Sequence, residues 1–132
     1  MKHLGFVLLV LSGCVMAEEV YYCSDDDSNG FVEKNGVYKS TLMSLRKFKM
    51  KLGDDGHLAI DNGGTTSFYY CLALGGKYKN SKSCTGIVGK YPSGTYFNFN
   101  PDNGRYIRFS GFGYVYANED TVGTEIGTCT KF

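Results

Sequence analysis

The sequence predicts an α+β domain: one helix packed on a twisted antiparallel sheet, with two disulfides. Three observations predict it. Residues 90–118 alternate aromatic, branched and charged side chains around turn signals. Residues 38–52 carry apolar side chains at helical spacing. Four cysteines remain once a leader-like N-terminus is set aside.

At 132 residues the chain has the length of one domain. Residues 1–17 read as a secretory signal peptide. Lys2 and His3 give a basic start, residues 6–11 are apolar, and Val15-Met16-Ala17 is a small-residue cleavage pattern. The apolar run is too short to span a membrane. The folded domain is then residues 18–132, and it is expected to be secreted. The leader carries Lys2 and no acid, so the remainder has equal numbers of basic and acidic residues. No global field steers a neutral chain to nucleic acid or to an anionic membrane, and any such binding needs a local patch. A monomer with no membrane partner is expected.

Cys14 leaves with the leader. Cys23, Cys71, Cys84 and Cys129 remain, and an even count in a small secreted chain reads as two disulfides. Three pairings are possible. The favoured one joins Cys23 to Cys129, tying the chain ends, and Cys71 to Cys84, closing a local loop. No C-x-x-C spacing supports a zinc site, and no metal or cofactor is expected. The 11 tyrosines, 9 phenylalanines and 18 glycines suit a β-rich domain with tight turns.

In chain order, residues 20–23 read as a short strand and residues 25–30 as an acidic, turn-rich loop. Residues 31–33 read as the returning strand. The loop lacks the ligand spacing of an EF-hand and reads as a solvated hairpin connection. In residues 38–52, Leu42, Leu45, Phe48 and Leu52 form one helical stripe, with Ser40 or Asn35 as N-cap and Gly53 just past the end. The cations Arg46, Lys47, Lys49 and Lys51 read either as a solvated helix face or as a phosphate-contacting patch. Residues 53–64 read as loop, 67–74 as a buried strand, 75–83 as a basic loop stapled by Cys71 and Cys84, and 87–91 as a strand. The strongest local signal is a hairpin: Tyr96, Phe97 and Phe99, then the turn Pro101-Asp102-Asn103-Gly104, then the alternating run from Arg105 to Phe109. Residues 112–117 repeat the alternation, and residues 121–132 read as a tail pinned by Cys129.

The order of a strand, one helix, an antiparallel sheet and a cysteine near each end resembles the guanyl-specific ribonucleases of filamentous fungi. It resembles still more the ribonuclease-like secreted effectors of powdery mildew fungi. Tyr21-Tyr22-Cys23 supplies the aromatic-x-Cys motif near the mature N-terminus, and Cys129 the closing cysteine. The resemblance implies a ribonuclease-like fold. In the active family a glutamate base, a histidine acid and an arginine act together, with a second histidine assisting and no metal. One group must take the proton of the attacking hydroxyl while another protonates the leaving oxygen, and fixed positive charge must meet the phosphorane. Carried onto this chain, the base position falls on Lys90, before Tyr91-Pro92, and an ammonium has no lone pair to accept a proton. The arginine falls on Arg105, the acid on Asn118, and the second histidine on His57. Base and acid are both missing, so the resemblance implies a pseudoenzyme that binds and does not cut. It also implies action on host protein or RNA, translocation into host cells and, as one partner class, a plant nucleotide-binding leucine-rich-repeat (NLR) immune receptor. Lys90, Arg105 and Arg108, with Tyr91 and Tyr106, are the candidate RNA- or partner-binding residues. Two alternatives stand beside this reading. One is an active ribonuclease using Glu119 or Asp120 as base and His57 as acid. The other is an unrelated disulfide-stapled toxin or ligand-binding module.

Overall fold

A computed structural model describes residues 17–111, 114–115 and 121–132. Residues 1–16 of the expected signal peptide 1–17, Asn118, Glu119, Asp120 and most of the alternating run 112–117 lie outside the described residues.

Among the described residues nine strands build the domain: β1 (Glu18–Lys34), β2 (Val37–Leu42), β3 (Lys47–Gly53), β4 (His57–Asp61), β5 (Thr66–Ala73), β6 (Lys82–Val88), β7 (Tyr91–Phe99), β8 (Arg105–Ser110) and β9 (Val122–Lys131). All pair antiparallel in the order β2-β1-β3-β4-β5-β6-β7-β8-β9, and β9 returns to pair with β1. Eight of the strands therefore close a barrel. β2 lies outside that ring, hydrogen-bonded to the far half of β1. Closure removes the open edges along the eight strands, which would otherwise template pairing with other chains.

The α+β expectation is thus overturned, and the helix over residues 38–52 is replaced by β2, a connection and β3. The physical signal lies in Lys47-Phe48-Lys49-Met50-Lys51-Leu52. Phe48, Met50 and Leu52 are buried while the three lysines face outward, the period-two pattern of a half-buried strand. Leu42 and Leu45, which complete the helical stripe, are 78% and 59% exposed. Asn35 caps no helix. It has φ 54°, and Gly36 has φ 79°, so Asn-Gly forms the two-residue turn that joins β1 to β2.

Four other expectations change with it, the first being the strand over residues 87–91, where residues 89–90 instead form the turn between β6 and β7. Residues 25–33 are neither loop nor returning strand: β1 runs through them, with an irregularity between Asp25 and Asp27. That bulge turns Asp26 and Asp27 outward and leaves Asp25 and Ser28 both buried. Residues 57–61 are strand β4 rather than loop. The expected tail is strand β9, which closes the barrel against β1 and β8. The hairpin around residues 100–104 forms as β7 and β8.

Both disulfides join residues directly opposite on neighbouring strands, Cys23–Cys129 across β1 and β9 and Cys71–Cys84 across β5 and β6. The core fills the barrel. Met50, Ile60 and Phe97 are fully buried, with Tyr21, Phe48, Leu58, Tyr69, Phe99 and Tyr106 around them. Phe97 stacks on Tyr106 at 5.3 Å and meets Phe48 edge-on at 6.1 Å. Eight strands make a barrel whose interior side chains can fill.

Two core tyrosines make the fold sensitive to alkali. Burial, reinforced by the hydrogen bond Tyr21 Oη donates to Glu19 Oε2 at 2.7 Å, pushes the Tyr21 phenol up to about 12. Burial, then the bond to Asp25, raises Tyr106 as well. A raised folded-state value means that the neutral phenol is favoured by the fold. Its contribution is complete below an unfolded tyrosine value of about 10 and is lost as pH rises toward 12. Thermal melts from neutral to strongly alkaline pH should hold level and then fall in that window, with Tyr21→Phe removing part of the fall. A melting temperature indifferent to pH across the window would contradict this assignment.

Candidate ligand-binding surface

The barrel interior carries an unusual set of charges. Arg108 on β8, Glu125 on β9 and Ser28 on β1 are cross-strand neighbours in one row, and each is at least 96% buried. Arg108 Nε donates to Glu125 Oε2 at 2.9 Å, and its guanidinium lies 5.1 Å from the centre of the Phe48 ring. The half-exposed Arg46 reaches from the β2–β3 connection to the other oxygen of Glu125. One strand position further along, Tyr106 Oη donates to Asp25 Oδ1 at 2.5 Å, and Arg46 N donates to Asp25 Oδ2 at 2.8 Å. Gly127 lies between Tyr106 and Asp25 in the register. A Cβ there would sit 2.5 Å from Tyr106 Oη and against the Ser24 carbonyl, so only glycine lets the tyrosine cross to its acceptor. Each charge in this cluster is held by an opposite charge or a hydrogen bond, which is the condition for burying it, while Arg108 Nη2 and Ser28 Oγ find no hydrogen-bond partner among the described residues. These residues hold β1, β8, β9 and the β2–β3 connection together. They serve the fold rather than an outside ligand.

The outer wall differs. A groove of about 600 Å³ runs over β3, β1 and β9 and is lined by Tyr22, Ser24, Lys47, Lys49, Thr128 and Thr130 together with Gly63 and Asp61, the latter directly opposite Lys49 on β4. Its floor follows from the register: Lys47, Ser24 and Thr128 form one cross-strand row, and Lys49, Tyr22 and Thr130 the next. Neighbouring strands lie about 4.8 Å apart, and side chains on one face of a strand repeat about every 6.7 Å. Two ammonium groups therefore stand beside one exposed aromatic ring and three hydroxyls. Tyr22 is 52% exposed and meets the Phe132 ring edge-on at 5.7 Å. Among the described residues Lys47 and Lys49 make no ion pair, whereas Lys51 lies 3.9 Å from Glu18. Unpaired lysines with nearby hydroxyl donors suit an anion, and the ring offers a stacking face.

The site residues expected from the sequence are not brought together. Hairpin turns alternate between the two ends of the barrel. Lys90 lies in the β6–β7 turn at one end, and Arg105 follows the β7–β8 turn at the other. Lys90 lies 5.3 Å from the centre of the exposed Tyr91 ring, so these two form a local pair away from the groove. Arg105 is exposed and opposite Thr128, one strand outside the groove. Arg108 and Tyr106 are interior residues committed to Glu125 and Asp25, so neither is presented to a partner. His57 begins β4, exposed, with Nδ1 2.9 Å from Asp55 Oδ2 and its ring edge-on to Tyr70 at 5.6 Å. The hydrogen bonds from His57, backbone first, hold the Asp55 carboxyl below its ordinary range. Asn118 and the alternative bases Glu119 and Asp120 lie outside the described residues. Sequence reasoning missed Tyr22, Ser24, Thr128 and Thr130 as lining residues. The signal for the lysines was present in the alternation of residues 47–52.

No family model, curated protein or solved structure matches the chain.

Proposed function

We propose that this chain is a secreted binding protein of the effector type that holds RNA, without cutting it, on the outer face of β3, β1 and β9. The observation that carries the reading is the groove itself, where Lys47 and Lys49 make no ion pair among the described residues and stand beside the exposed Tyr22 ring, with Asp61 as the one carboxylate in the lining. Lysines meet phosphates as point charges, and tyrosine accepts any base on its face, which gives binding with little sequence preference. Secretion is supported by the pattern of residues 1–17 and is compatible with the two disulfides. Binding without catalysis is supported by the separation of His57 and Arg105 from Lys90 at opposite barrel ends. The neutral chain places the whole attraction in a local patch.

The test uses oxidised residues 18–132 and a fluorescent single-stranded RNA. The parent protein should retain RNA with a salt slope that falls by about 0.7 for each lysine removed from the contact. Lys47→Glu with Lys49→Glu should abolish retention at physiological salt, whereas Lys90→Glu should leave it unchanged. Retention that survives the groove variant, or that depends on Lys90, would sink the assignment.

A further inference from the structure

A second surface lies across the barrel from the groove. The β5–β6 hairpin is the longest turn at its end of the barrel, eight residues against three between β3 and β4 and five between β7 and β8. Residues 72–80 are all exposed, and none of the 3-10 turn Gly76–Tyr78 is buried. Leu72, Leu74 and Tyr78 are 61%, 39% and 55% exposed. Lys77 and Lys79 stand at the tip, with Lys77 Nζ 4.9 Å from the centre of the Tyr78 ring. No acidic residue occurs from residue 72 to residue 84. The one acid in hydrogen-bond contact among the described residues, Asp102, is taken by the Asn80 amide at 3.0 Å. The root is rigid: Cys71–Cys84 crosses it, and Leu74 N donates to the Ser81 carbonyl at 2.9 Å.

We infer that this hairpin is a finger that docks on an anionic phospholipid surface. Tyr78 stands at the tip with Leu72 and Leu74 nearer the root, and exposed apolar side chains on one hairpin gain by entering the boundary between headgroups and acyl chains. A tyrosine lies well at that depth, apolar ring inward and hydroxyl wet. Lysines beside it face the lipid phosphates, and each is worth about fivefold in partitioning to an anionic membrane. Every residue of the tip is exposed, so it can insert. The sequence expectation of no membrane partner rested on the neutral overall charge. The fold gathers two lysines and apolar side chains on one hairpin, against the single carboxylate of Asp102, which a net charge cannot show.

Oxidised residues 18–132 should be sedimented with phosphatidylcholine vesicles, with and without about one-third phosphatidylserine, at physiological ionic strength. Binding is expected to the anionic vesicles only. Lys77→Glu with Lys79→Glu should weaken it about a hundredfold or more. Leu74→Ser with Tyr78→Ser should weaken it about tenfold or more. Lys47→Glu with Lys49→Glu should bind as the parent does, which separates this surface from the RNA groove. Circular dichroism checks that each variant is folded, and the altered side chains are all on the surface. No binding to anionic vesicles, equal binding to neutral ones, or binding unchanged by either finger variant would overturn the inference. Loss of RNA retention on reversing Lys77 and Lys79, without vesicle binding, would overturn it in favour of nucleic acid.

Discussion

Replacing Cys23 and Cys129 together by alanine is expected to cost about 4–5 kcal/mol. The bridge spans a sequence separation of 106, so it restricts the unfolded chain more than the bridge between Cys71 and Cys84, with a separation of 13, whose loss should cost about 3 kcal/mol. It also lies on the β1–β9 seam, the pairing that turns an open sheet into a closed barrel. A domain of this size has about 5–15 kcal/mol in total, so the variant should be marginal at best. Urea unfolding of both paired variants checks the order. A greater loss from the local bridge than from the seam bridge would contradict the role assigned to closure.

Glu125→Leu should cost about 3–5 kcal/mol. The substitution leaves Arg108 buried with no anion, and Arg46, half exposed, can turn to water while Arg108 cannot. Arg108→Met alone should cost less, because Glu125 keeps Arg46. The double variant should recover much of the Glu125→Leu loss, since apolar groups of similar volume often replace a buried pair without penalty. A double-mutant cycle by urea unfolding reads the coupling directly. Additive losses would mean that the two side chains do not act as a pair.

The limits of the sequence are physical ones. The helical and strand periods coincide at Phe48 and Leu52, so Leu42, Leu45, Phe48 and Leu52 fit a helix, whereas buried Met50 fits only the strand and Leu42 and Leu45 are exposed. Asp25-Asp26-Asp27 has the composition of a turn. It stays in strand because Asp25 finds Tyr106 and Arg46 N, 81 and 21 residues away, and no local pattern records such partners. The β7–β8 hairpin was legible because its turn signal and its alternation are both local. The cysteine pairing was legible because end-to-end and local loops were the economical choices. Arg105 and Arg108 looked equivalent in sequence, yet three positions along a strand place them on opposite faces. The groove was half legible: its lysines were visible as a basic run, but Tyr22 and Thr130 join them only through the barrel register.

The most direct measurement incubates oxidised residues 18–132 with structured and single-stranded RNA over a range of salt, recording retention and cleavage together. The groove predicts salt-sensitive retention of intact RNA, lost on reversing Lys47 and Lys49. Cleavage that follows the protein through purification and vanishes with His57→Ala would contradict it, and so would the absence of any retention at low salt.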